Sequence, residues 1–434
     1  MSNRTNKSDN VFASRNFRLV FLGALVSELG ALLYSFAVSF YILEISGNNA
    51  FLQGLYLALC GVAMLLSTPV GGVLGDRFNK AKIMYVCDFI KGGFIILATA
   101  LMLLLKEPGA HIAILFVLGI IGNAVSGIFG PAAGSLFPHI VREDQLQQAN
   151  SYFTMKNSFE SILGVILAGV LYAALPIYTL FFLVGACFVA SGISEMLIRY
   201  EHHPSEEQLT LKLAVRDMAD GLRYLKTKKA ILALLGSILV INFFFVPVSG
   251  NFLPFFIKTD LAQAPSYLLD NMLTPELWSS VFSMFFGISS LLGAAVLSAR
   301  PQEEKTGLKT GLRLIATAAV MIALTVGYWL LVERGRSLNG FLILICVVFL
   351  AIGVLISLIN IPITTVMMRV VEKDKLSKVT SIVNIGSHGM IPIASVLAGL
   401  VLELLGSTTL LAVCSLGFTV TAVLLLFNRN IKEL

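Results

Sequence analysis

Glu28, Lys156, Glu160 and His388 each interrupt sequence that is otherwise almost wholly apolar. An ionised carboxylate in such surroundings needs a partner, a proton or a wet cavity, so Glu28 and Glu160 are candidates for binding a cation or carrying a proton. Lys156 precedes Glu160 by four residues and shares its helical face, so this pair also reads as a packing device. Glu28 has its own alternative, a carboxyl group kept neutral by a hydrogen bond to a neighbouring helix. A histidine can titrate near neutral pH, which makes His388 a candidate coupling group. Between Ser387 and Gly389 it also reads as a hydrogen-bonded packing residue. Asn123, Asn242, Asn360 and Asn384, with Tyr34, could line the same cavity or serve only to bond helix to helix.

The elements that carry these residues set their depth. With 57% hydrophobic and 13% charged residues over 434 positions, the composition excludes a soluble multidomain protein and implies an all-α polytopic membrane protein. Apolar runs predict about twelve spans, at roughly 17–45, 50–74, 82–105, 110–137, 148–174, 176–199, 229–258, 277–300, 307–332, 338–371, 377–404 and 407–428. Of the 31 Lys and Arg, only Lys106, Lys258, Arg334 and Arg336 fall in the outside loops, with Lys91 and Lys156 left inside spans. That bias predicts cytoplasmic termini, and it assigns the net charge of +6 to one membrane face, which removes a nucleic-acid reading. The first apolar run is too long for a signal-peptide core and is expected to stay as the first helix. At about 1.5 Å per residue, Glu28, Glu160 and His388 all lie roughly 16–18 Å from the cytoplasmic ends of their helices, near the middle of the bilayer. Agreement in depth from separate helices is the strongest sign of a site.

The stretch Gly71-Gly72-Val73-Leu74-Gly75-Asp76-Arg77-Phe78-Asn79-Lys80-Ala81-Lys82 turns the chain between the second and third spans. Glycines there let helix ends approach closely, and a carboxylate beside cations can clamp a neighbouring terminus. The spacing Gly72-x-Leu74-x-Asp76-Arg77-x-x-Lys80 resembles the loop between helices 2 and 3 of the major facilitator superfamily of transporters. In that family a glycine usually stands where Asn79 is, and a further basic residue where Ala81 is. Gly72, Asp76, Arg77 and Lys80 are accordingly expected to gate, and Asp88 and Lys91 are assigned to the same network. For both, the alternative is snorkelling to the inner interface.

The one long polar stretch of the sequence divides the spans six and six, which predicts a leader at 1–16, a six-helix bundle at 17–199, a cytoplasmic linker at 200–228, a second six-helix bundle at 229–428 and a tail at 429–434. In the linker, Leu211, Val215, Met218, Leu222 and Leu225 alternate with charges as in an amphipathic helix, while His202 and His203 lack a third metal ligand. Ile166-Leu167-Ala168-Gly169-Val170-Leu171 recurs as Val396-Leu397-Ala398-Gly399-Leu400-Val401, a sign of duplicated bundles with a substrate site near the midplane. Pro138, the run Val141-Arg142-Glu143-Asp144-Gln145-Leu146 and then Ala149-Asn150 resemble the macrolide-efflux branch of the family.

That branch implies export of amphipathic small molecules by alternating access, with protons exchanged, no cofactor beyond the proton gradient, and a monomer in the bacterial plasma membrane surrounded by lipid. Two departures weaken proton antiport. The stretch Ile112–Leu136 has no arginine, and Gly164-Val165-Ile166-Leu167-Ala168-Gly169 lacks the proline of the family's helix 5 element. Tyr34, Phe36, Phe40, Phe243, Phe244 and Phe245 could form an apolar pocket or face lipid. The alternative function is a lipid or lysophospholipid translocator, with Lys156 as phosphate anchor. An enzyme is not expected: no Lys-Ser/Thr phosphate loop, His-Glu-x-x-His or nucleophile elbow occurs. Pro247 and Pro254 around Ser249-Gly250-Asn251 predict a bend or break in the seventh helix, and Trp278, with Tyr267 to Leu269, is expected at the outer interface.

Overall fold

Backbone amides in hydrocarbon must be satisfied within their own segment, so long apolar runs with internal hydrogen bonds fold as helices. A computed structural model describes residues 11–142, 145–200, 222–298 and 306–427. These are almost entirely helical, and no strand occurs among them. In chain order the long helices are α1 (Arg15–Ile45), α2 (Ala50–Arg77), α3 (Lys80–Leu104), α4 (Pro108–Ile140), α5 (146–174), α6 (Ile177–Met196), α7 (229–261), α8 (Pro275–Ser298), α9 (Thr306–Glu333), α10 (Leu338–Val370), α11 (373–405) and α12 (407–427). The last two run on without a loop, and a positive φ of 81° at Gly406 makes the turn between them, a conformation glycine adopts without strain.

The chain divides into two compact units. One comprises the described residues of Met1–Ala37 and Ala63–Leu211, the other those of Val38–Val62 and Lys212–Leu434. The boundary therefore cuts α1 and α2 as well as the linker. Within the second unit, the 38–62 segment packs on α7 and α11 through residues without side chains. A Cβ at Gly54 would lie 2.4 Å from the Ser395 carbonyl oxygen, and one at Gly399 would lie 2.6 Å from that of Ala50. Gln53 donates to Ser39 Oγ (2.9 Å), Asn251 to the Ser395 carbonyl (3.3 Å), and Lys258 ties Glu44 (3.1 Å) to Glu276 (3.0 Å).

The two units use matching contacts. In the first, α2 crosses α4 where a Cβ on Gly71 would meet Ile128 Cα at 2.6 Å and one on Gly127 would meet the Met64 carbonyl at 2.6 Å. In the second, α8 crosses α10 where a Cβ on Gly293 would meet the Val354 carbonyl at 3.0 Å and one on Gly353 would meet the Phe286 carbonyl at 2.5 Å. Small residues at crossings let backbones close up, which drives helix association where lipid is as apolar as the side chains.

Some expectations change on inspection. Helix α7 does not break at its prolines; it widens into π turns at Pro247–Phe252 and Ile257–Leu261. Trp278 is not at an interface but 4% exposed, tilted against Phe282 at 5.6 Å, because the start of α8 turns this face inward. Residues 201–221 of the linker, the leader before residue 11 and the tail after 427 lie outside the described residues, so the amphipathic helix is represented only by 222–227, where Leu225 is buried.

Candidate functional site

Helix α5 carries Lys156 and Glu160 on one face, and the second of these opens a π turn, Glu160–Gly164. Such a turn shifts the side-chain register by one residue and marks functional positions more often than chance. Gly164 closes the turn against α1, where Leu29 Cδ2 would sit 3.0 Å from an added Cβ. This close approach brings Glu28 of α1 onto the same ammonium. Lys156 Nζ donates to Glu28 Oε2 and to Glu160 Oε2 (3.2 Å) and Oε1 (3.4 Å), and lies 5.7 Å from the Phe153 ring centre.

The three residues differ sharply in access. The Lys156 side chain is 1% exposed and that of Glu160 8%, whereas that of Glu28 is 50% exposed. Two carboxylates around one ammonium leave an excess negative charge when all are ionised, and the exposed member is where that excess can meet a ligand. Glu28, Ala31 and Ser35 form an exposed stripe at helical spacing on α1. Its polar and small residues contrast with Leu104 and Leu424, exposed elsewhere on the bundle.

Lys156 and Glu160 are ion-paired along one helix face, and the same ammonium holds Glu28. Lys156 is not exposed to take a lipid phosphate. Among the remaining candidates, Asn123 donates to the Gly119 carbonyl of its own helix (2.9 Å), and the Tyr34 ring packs on Phe181 at 5.6 Å. Asn242 is half-buried on α7, and Asn360 Oδ1 is buried without a hydrogen bond among the described residues. The side chains of His388, Asn384, Asp76 and Arg77 lie outside those described. The aromatic residues proposed for a pocket mostly meet other rings, Phe36 on Tyr172, Phe244 on Phe418 and Phe245 on Phe286, while Phe40 is buried.

Near the α2–α3 turn, Gly72 has open space around it, and its neighbour Gly71 makes the close crossing. Asn79, at a position where the family usually has glycine, caps α3 by accepting from the Lys82 amide (3.1 Å) and donates to the Tyr200 carbonyl (3.3 Å). Lys80 Nζ lies 6.0 Å from the Tyr200 ring centre. Asp88 is buried beside Ser191 and Glu195 of α6, and Lys91 lies over the Phe129 and Phe188 rings rather than snorkelling. Glu195 carried no sequence signal of its own, since it stands at the end of an apolar span where acids commonly face water.

Membrane-length helices and small-residue crossings define an all-α polytopic membrane protein. The chain belongs to the Major Facilitator Superfamily, whose model matches residues 20–392. It is 24% identical over 300 residues to the uncharacterized MFS-type transporter YkuC of Bacillus subtilis, covering 66% of this chain and 65% of that protein. It is 24% identical over 236 residues to macrolide efflux protein A of Streptococcus pyogenes, covering 54% and 57%. The chain thus spans just under two thirds of the length of the first of these relatives and little more than half of the second. In fold it is similar to the nucleoside transporter NupG, with a TM-score of 0.71 at 12% identity over 95% of this chain and 100% of that one.

Proposed function

We propose that this transporter exports amphipathic, cationic small molecules across a bacterial plasma membrane in exchange for protons, with Glu28 as the group that meets the cargo. The observation that carries the reading is the half-exposed Glu28 carboxylate, anchored from behind by a buried lysine that is itself shared with Glu160. A cation approaching Glu28 competes with Lys156 for one carboxylate, and a proton on Glu28 would release either. Competition between cargo and proton for one site is the minimal chemistry of antiport. Efflux-type relatives support the same direction.

The test is transport in proteoliposomes under an imposed pH gradient, with ethidium as cationic probe and a pH dye to follow protons. Ethidium-dependent proton movement that Glu28→Gln abolishes supports the reading. Headgroup-labelled lipid crossing without ethidium-dependent proton movement would replace it with lipid translocation.

A further inference from the structure

A second set of ionisable groups lies in the first unit, apart from the Glu28 cluster. Helices α3 and α6 pack at close range because a Cβ on Gly92 would lie 2.8 Å from the Gly185 carbonyl oxygen and one on Gly185 2.6 Å from Ile96 Cγ1. One turn before Gly92 on α3, and further along α6 past Gly185, this contact encloses Asp88, Ser191 and Glu195, each at most 1% exposed. Helix α1 seals the side, where a Cβ on Gly23 would lie 3.3 Å from Ser191 Oγ and 3.6 Å from Glu195 Cγ. Neither carboxylate oxygen of Asp88, neither of Glu195, nor Ser191 Oγ has a hydrogen bond of ordinary geometry among the described residues. Ser191 nevertheless sits next to Asp88.

Among the described residues, the titratable groups that act on Lys91 are Asp88 and Cys87 of α3, Glu195 of α6 and, most weakly, Glu28 of α1. The Phe129 ring of α4 lies 5.3 Å from the ammonium and the Phe188 ring of α6 5.2 Å from it. Among the described residues one cation therefore serves two enclosed carboxyl groups. Two unpartnered buried carboxylates are costly, and a single bound proton removes one charge and supplies an O–H that can donate to the other carboxylate or to Ser191.

We propose that Asp88 and Glu195 form a shared proton-binding site, with Lys91 as the cation that offsets the charge left when one proton is bound. Release breaks the carboxyl O–H bond and passes the proton to water when the contact of α1, α3 and α6 opens, since Glu195 is 0% exposed although it is one residue from the last helical residue, Met196. Uptake reverses the step. The transport readout of the test rests on the export reading.

The test uses the full-length purified protein in detergent. Its infrared spectrum at neutral pH should show a protonated-carboxyl band that Asp88→Asn and Glu195→Gln each remove or shift and that Ser191→Ala moves. In proteoliposomes, the ethidium efflux rate of Glu195→Gln should change less than about twofold per pH unit, against as much as about tenfold for the unaltered protein. A band that is absent, or that survives both carboxyl variants, overturns the proposal. If the band behaves as expected but no ethidium moves in any preparation, the site stands and the cargo reading falls.

Discussion

Replacing Glu28 by glutamine removes one charge and keeps the shape of the side chain. Lys156 retains Glu160, so the buried ammonium is not orphaned, and the loss of a half-exposed partner should cost the fold less than breaking a fully buried pair, which costs about 3–5 kcal/mol. The effect on a cationic ligand is direct, because a hydrogen bond to a charged group contributes about 1.5–3 kcal/mol, or roughly 10- to 150-fold in affinity. The predicted phenotype is thus a folded, expressed protein whose ethidium affinity falls by that factor and whose efflux no longer responds to pH through this site. Fluorescence titration of ethidium against purified protein measures the first, and efflux from cells with matched expression measures the second. Unchanged affinity together with unchanged pH dependence would refute the reasoning and leave Glu28 as a structural partner of Lys156.

Lys156→Met should be far more damaging than Glu28→Gln, because it leaves Glu160 enclosed without its cation and breaking a buried pair costs about 3–5 kcal/mol. The double variant Lys156→Met/Glu160→Gln should recover part of that loss in thermal unfolding in detergent, and no recovery would contradict the pairing. Gly54→Ala would set a Cβ 2.4 Å from the Ser395 carbonyl, a backbone atom that cannot rotate away, and overpacking of this kind costs about 1–3 kcal/mol. Gly72→Ala, in open space on the same helix, should be close to neutral in the same melting assay. Lys258→Ala removes this cation from Glu44 and Glu276, and its destabilisation should shrink as salt is raised, since the Glu44 arm of the network is open to solvent.

Much of the candidate site was legible because charge inside an apolar run is conspicuous. Glu28, Lys156 and Glu160 stand out for that reason, and the four-residue spacing already placed the last two on one face. That Lys156 also reaches α1 was not legible, because it depends on a π turn at Glu160 and a glycine at 164, neither of which has a periodic signature. Glu195 escaped notice because an acid at the end of a span ordinarily faces water, and only its packing against Asp88 and Gly23 shows that it does not. Trp278 was misplaced for the opposite reason: tryptophan near a helix start is common at membrane interfaces, and the rule takes no account of a neighbouring Phe282.

Hydropathy was enough to determine the membrane class and the helix order, since transfer free energy depends on composition along the chain. Which side of each helix meets another helix was decided only by the tertiary structure. In water an apolar stripe marks the buried face, but in a bilayer the lipid-facing side is apolar as well. Leu97 and Leu101 on α3 are exposed while Cys87 and Met102 on the same helix are buried, and nothing in their polarity separates them. The glycine crossings make that choice, and with it they decide which acids share a cation and which are left with one another.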